Sequence, residues 1–360
     1  MPAKTLPFIY REEILRTFFD YVKRGESFYI IGAPSAGKTR FLDLVLGNDP
    51  DALRVGSEYD QEWIKKKYLG EETASKVWLI RVDMNRITKG ENWDFQFYEL
   101  LLSSILLACT ENRLTNNIDT IFGELTDLNS QVLNTNNELV AHRLLEIAIK
   151  RLCSIYKVRL CFLFDEFDET YHSMPLNTFA QLRAIRDANK YLVTYVLFLR
   201  NMPEKLRPPK DNEGFFELIS SRMIGLGLYS KQDTLAIIEK WEKRHEKHLS
   251  SEQQNWLWEY SGGHPGIAHV LFELITETKT DLIKQKNIEW FAKHETIFEE
   301  FRKLWIGLTK EEQAVLREIA KGNHPQMTSL LTKQLAAKGL LKPLSDHLAF
   351  FTPLFGYWLN

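Results

Sequence analysis

At 360 residues, with 26% charged residues and a net charge of −2, the chain has the length for two or three domains and the composition of an ordinary globular protein. A balance this close to zero removes any whole-chain case for nucleic-acid or membrane affinity. The three cysteines, Cys109, Cys153 and Cys161, are scattered in apolar or helical surroundings and read as small core residues rather than a disulfide framework or a metal site. Residues 1–6 are short and polar with no apolar stretch behind them. The longest apolar runs, 100–109 and 191–199, are too short and interrupted to span a bilayer, so the expectation is a soluble, cytoplasmic chain with no membrane partner.

Residues 7–15 lead into an amphipathic helix ending near Arg24-Gly25. Two readings stand for this opening. One is a helix that packs ahead of the first strand. The other has Phe8 and Ile9 lining an adenine pocket with Arg11 near the nucleotide. Residues 27–31 form a short apolar run that predicts a buried strand. Gly32 to Thr39 (GAPSAGKT) then fits G-x-x-x-x-G-K-S/T, the phosphate-binding P-loop, and Arg40 heads a run with helical apolar spacing that Gly47-Asn48 closes. Gly32 and Gly37, with Pro34, Ser35 and Ala36 between them, let the backbone curl so that its N–H groups face a phosphate at the positive end of the next helix. Lys38 would reach the β- and γ-phosphates of ATP, and the Thr39 hydroxyl would sit on Mg²⁺.

A polar, turn-rich stretch follows, with a short helix at 61–68 whose Lys65, Lys66 and Lys67 read as a solvated face. Residues 77–83 predict a second strand and 95–110 a strongly apolar helix. Residues 111–138, rich in Asn, Thr and Asp, read as an insertion, mobile and with weak helical content around 118–128. A helix at 139–156 leads to residues 159–165, an apolar run suited to a central parallel strand covered on both faces. Asp165 and Glu166 close it where open α/β sheets place ligands. Asp165 would hold Mg²⁺ through water, and Glu166 would orient or deprotonate the attacking water. Acids at a strand end can also simply begin the next helix, the reading given to Asp168 and Glu169.

After a helix at 176–189 and a strand at 191–199, Arg200 and Asn201 fall on the strand edge that faces phosphates; a cation there could sense a γ-phosphate, or sit in a solvated turn. Arg183 and Arg186, one turn apart, are explained equally well by surface salt bridges. A fifth strand is read at 222–228. Alternating strands and helices predict an α/β three-layer sandwich with a parallel sheet. From Ser230 the strands stop, and three helices form a lid in which Ser261-Gly-Gly-His264-Pro265 joins the second to the third. His264 and Pro265 could aim a polar group at bound phosphates, or mark an ordinary helix end and start. Residues 288–360 read as helices and a hairpin-like end, a winged helix-turn-helix. From Phe301 on, eight bases (Arg302, Lys303, Lys310, Arg317, Lys321, Lys333, Lys338, Lys342) face four acids (Glu311, Glu312, Glu318, Asp346). The candidate recognition helix carries only Lys333, Lys338 and Gln334, thin for base readout, so protein contact is weighed beside duplex DNA.

With these elements in hand, the chain resembles the STAND-type AAA+ ATPases, the clade of NACHT and NB-ARC switches and archaeal origin-recognition ATPases. Beside the P-loop, residues 8–12 resemble the clade's hhGRE box with Tyr10 in place of the glycine. Residues 164–169 are similar to its Walker B strand, 261–265 to its GxP lid motif, and 351–359 to its winged-helix terminus. The resemblance implies a P-loop NTPase core at 1–229, a helical lid at 230–287 and a winged-helix domain at 288–360. It also implies ATP/ADP with Mg²⁺ as cofactors, metal ligands Thr39 and Asp165, and Arg11 near adenine. Lys38, Asp165, Glu166 and Arg200 would be catalytic, Arg200 as sensor, with His264-Pro265 reading nucleotide state. Arg222 is a candidate arginine finger by position alone. The implied activity is slow ATP hydrolysis in a conformational and oligomerisation switch that regulates a separate effector protein or a homo-oligomer, in the clade's setting of prokaryotic defence. The alternative is an initiator-like or transposition-type ATPase that binds duplex DNA through the winged helix.

Overall fold

The computed structural model describes residues 11–47, 61–88, 90, 92–112, 115–277, 282–323, 329–344 and 347–360. They divide into two compact units interleaved along the chain. A sheet unit comprises Leu15–Ile30 and Thr39–Ile224; a helical unit comprises residues 11–14, Ile31–Lys38 and Gly225–Asn360.

The sheet has five parallel strands: β1 (Phe28–Ile31), β2 (Val77–Asp83), β3 (Arg159–Asp165), β4 (Val193–Leu199) and β5 (Met223–Gly225), in the order β2-β3-β4-β1-β5. β1 and β4 are buried at every position, which is why they read as unbroken apolar runs rather than alternating ones. β2 and β3 are in parallel register from Val77 opposite Arg159 to Asp83 opposite Asp165, so two acids finish the strands side by side. An aromatic core secures the sheet unit: Phe18 meets Phe19, Phe28 and Phe41 edge-on, at centroid distances of 5.1, 5.5 and 5.9 Å. Each such ring contributes about 1.5–3 kcal/mol by leaving water, with more from the T-shaped contacts.

Two expectations change here. The polar insertion is a packed helix, Ile118–Thr135, which buries Ile121, Leu125, Leu128 and Val132 and continues through Asn136-Asn137 into the helix Glu138–Ser154. Its apolar residues recur at helical spacing, and the surrounding Asn, Thr and Asp hid that period. Lys65 belongs to no solvated face: it is 2% exposed, and its Nζ donates to the Val77 carbonyl at 2.9 Å and Asn112 Oδ1 at 2.7 Å. The three cysteines are free and buried, with burial pushing the thiols up, Cys109 to about 11 and Cys153 to about 12. Among the described residues no helix is long and apolar enough to cross a membrane.

In the helical unit, Lys231–His245, Ser251–Ser261 and Lys310–Ala320 each begin at a capping box (Ser230/Asp233, Ser250/Gln253, Thr309/Glu312), so these boundaries are legible locally. The helix Leu330–Ala337 precedes an antiparallel hairpin of β6 (Leu341–Pro343) and β7 (Leu348–Phe350). The chain then turns at Thr352, whose side chain accepts from Leu354 N–H, into a last helix, Pro353–Leu359.

Candidate functional site

The residues singled out in the sequence gather into one group in each unit. In the helical unit, β1 runs out at Ile31 into the loop, where Ser35 has φ 55° and Gly37 φ 87°. Left-handed backbone at a non-glycine costs roughly 1–2 kcal/mol and persists where its surroundings hold it. Those surroundings are visible. The Arg11 guanidinium, 4.5 Å over the Tyr229 ring, donates to the Ala36 carbonyl at 2.6 Å and to that of Gly227 at 3.1 Å. The Arg11 N–H donates to Asp233 Oδ1 at 3.1 Å, so the capping acid of the helix Lys231–His245 also anchors Arg11. Lys38 lies along its own loop and donates to Gly32 O at 3.1 Å and Ala33 O at 3.4 Å. Pro34 is half-buried, Ser35 and Thr39 are exposed, and Arg40 is half-buried on the first turn of the helix Lys38–Val45.

His264 arrives through two glycines that no other residue can replace. Gly262 (φ 61°) and Gly263 (φ 83°) are left-handed, and a Cβ on either would fall 2.2 Å from a carbonyl oxygen, of Phe351 and of Tyr229. The fully buried ring meets the Pro34 carbonyl through Nε2 at 3.1 Å, while Nδ1 accepts the Ile267 N–H at 3.3 Å. The acceptor role of Nδ1 assigns the proton to Nε2. Burial pushes the imidazole down to about 4, and Arg11 adds to this against the Pro34 carbonyl and Glu300. His264 therefore holds the backbone of the loop, as Arg11 does. Pro265 starts the helix Pro265–Glu277. Phe8 and Ile9 lie outside the described residues.

In the sheet unit, Asp165 ends β3 with a side chain 4% exposed. Its Oδ2 accepts from Arg81 at 2.8 Å and its Oδ1 from the Glu166 N–H at 3.1 Å. Burial pushes this carboxyl up, and the Arg81 cation acts against that. Glu166 follows at φ 49° and pairs with Arg200 at 2.6 Å. Asp168 accepts the backbone N–H groups of Arg200 and Asn201, tying the end of β4 to the helix Asp168–Ser173. The other end of Arg81 meets Asp43 Oδ1 at 3.2 Å. Asp43 lies one turn beyond Thr39 on the same helix, so it shares a face with it. A carboxylate and a hydroxyl are the hard oxygen donors that Mg²⁺ takes, and the residues present fit that ion.

The sequence reading missed Asp43, Arg81, Tyr229 and Asp233. A signal existed for Arg81, the lone cation inside an apolar strand. Arg183 and Arg186 take the salt-bridge reading, both with Asp187, and Arg222 pairs with Glu26. Lys338 is lost as a base-reading residue: it is 2% exposed in an ion pair with Glu312. The reason is a close approach at the end of its helix, where a Cβ on Gly225 would lie 2.7 Å from the Ala337 carbonyl. Gln334 is buried as well, and Lys342 donates to the Phe351 carbonyl at 2.8 Å.

The five-stranded parallel sheet with the GAPSAGKT loop after β1 has the fold of a P-loop ATPase. The Walker-type ATPase of Pyrococcus abyssi matches 98% of this chain over 96% of its own, with a TM-score of 0.55 and 12% identity. A STAND protein with a tetratricopeptide repeat sensor from Pyrococcus horikoshii matches at 15% identity with a TM-score of 0.39, and this chain spans 44% of it. The Aeropyrum pernix Orc1 protein, solved in complex with DNA, matches 99% of this chain and 93% of its own at 12% identity with a TM-score of 0.44. At these identities the likeness is one of fold alone. No family model matches the chain, and no curated protein does.

Proposed function

We propose that this chain binds ATP with Mg²⁺, hydrolyses it slowly, and uses the nucleotide state to switch its conformation and its association with itself or with an effector protein. The observation that carries the switch is the double hold on the loop backbone: Arg11 on the Ala36 carbonyl and lid residue His264 on the Pro34 carbonyl. A phosphate in the loop draws on the backbone whose other side the lid grips, which is how a ligand biases a two-state element.

Lys38 turns from its own carbonyls to the β- and γ-phosphates. Thr39 and Asp165 would hold Mg²⁺, which would supply neutralisation of charge on the phosphate oxygens. Glu166 orients the attacking water and takes its proton. Its partner Arg200 is drawn to a γ-phosphate, and that frees the Glu166 carboxylate. Glu166→Gln should lower turnover about 10²-fold or more with nucleotide affinity kept, read by phosphate release beside ligand titration.

The switch itself is tested by light scattering without nucleotide, with ADP, and with ATP–Mg²⁺. Assembly with ATP in the wild type and none in Lys38→Ala supports the reading; one mass in every state sinks self-association as its output. The DNA-binding alternative is less supported. Lys338 and Gln334 are buried, Lys342 donates to the Phe351 carbonyl, and Arg302, Lys303 and Lys321 pair with acids three residues before them.

A further inference from the structure

We propose that Arg81 is a resident counter-cation that competes with Mg²⁺ for Asp165 and so sets how much Mg²⁺ the nucleotide site requires. The proposal rests on the reading of Asp165 as a metal ligand. A carboxylate taken out of water must be paired. For Asp165 that partner is the Arg81 guanidinium at 2.8 Å. The contact is a forward reach along the sheet. In register Arg81 stands opposite Leu163 and Asp83 opposite Asp165, so the guanidinium extends two positions toward the C-terminal strand ends, where α/β sheets bind ligands.

Arg81 is also the movable member of its cluster. Its side chain is 36% exposed, against 25% for Asp43 and 4% for Asp165. The second arm of the fork, on Asp43 at 3.2 Å, gives the guanidinium a place to stay when it leaves Asp165. A dication approaching Asp165 therefore meets a carboxylate already neutralised by a cation that repels it. Once displaced, that cation remains beside Asp43, one turn from Thr39.

The alternative is that Arg81 only positions Asp165, and it predicts the opposite sign. The test is binding of a fluorescent ADP to the full chain, in EDTA and across a Mg²⁺ titration. Mn²⁺ electron paramagnetic resonance gives a direct metal readout. Arg81→Gln should lower the Mg²⁺ concentration at half effect by roughly tenfold, since a local positive charge is removed. Arg81→Lys should stay near the wild type. Asp43→Asn should raise the midpoint, because the guanidinium is left with Asp165 alone, and it keeps the test open if Arg81→Gln folds poorly. A raised or unchanged midpoint in Arg81→Gln, with ADP binding in EDTA intact, overturns the proposal. Absence of ADP binding by the wild type in every condition overturns the nucleotide reading and this proposal with it.

Discussion

Each unit takes a carboxylate–cation group out of water, and the two groups differ in how far they are closed. In the helical unit the Lys338 ammonium lies 2.7 and 2.9 Å from the two oxygens of Glu312, with both side chains 2% exposed. Glu312 also completes a capping box by accepting the Thr309 N–H at 3.0 Å, so its lone pairs are spoken for. In the sheet unit Arg81 divides itself between Asp43 and Asp165 and stays one-third exposed at a strand end. The first group leaves no path for another ion and acts as structure. The second leaves a displaceable partner on a buried carboxylate, which is what a metal site needs before its metal arrives. Burial of a charge alone does not mark function; the freedom of its partner does.

The largest effect that sharpens this contrast is Lys338→Ala. It strands a buried carboxylate and should cost about 3–5 kcal/mol in urea unfolding, with nucleotide affinity unchanged. Lys338→Met combined with Glu312→Leu should recover most of that loss, because the pair contributes little net energy against an apolar replacement. A loss of nucleotide affinity in the double variant would contradict the structural role. Arg81→Gln should destabilise by less than Lys338→Ala, since Asp165 keeps the Glu166 N–H.

His264 gives the next effect. The unfolded imidazole protonates near 6.5, while the buried one holds out to about 4. Its folded value is depressed, so the contribution is present above pH 6.5. It is lost as the pH falls through the window down to about 4, a change of about 3 kcal/mol. Denaturant midpoints at pH 7 and pH 4.5 should separate in the wild type and converge in His264→Gln. Equal slopes in the two proteins would remove His264 as the cause. The smallest effect is Gly307→Ala, whose Cβ would fall 2.3 Å from Pro34 Cγ. Overpacking there should cost about 1–3 kcal/mol in thermal unfolding and shift ADP affinity, because the displaced atom belongs to the phosphate loop. A shift in melting with no change in affinity would mean that the loop absorbs the contact.

Much of the fold was legible because its signals are local. β3 was bounded at residues 159–165 by its apolar run and terminal acid, and the hairpin-like end is present as β6 and β7. Three helix starts carry a local signal in capping side chains three residues apart, Ser230/Asp233, Ser250/Gln253 and Thr309/Glu312. The packed helix Ile118–Thr135 was under-read because Asn and Thr on its exposed face outweighed a true helical period. Lys65 was read as part of a solvated face and Lys338 as a base of the candidate recognition helix, because nothing within a few residues of either reveals its distant partner.

The sequence by itself determined the GAPSAGKT loop, the acidic strand end and the alternation that makes a parallel sheet. Each of these depends on residues adjacent in the chain. Tertiary structure alone decided the strand order, the hold of Arg11 and His264 on the loop, and the placement of Arg81 on Asp165, 84 positions away. The reason is physical. A backbone turn or a cap is specified by torsions and hydrogen bonds within a few residues, whereas the partner of a buried charge exists only after the sheet and helices have packed.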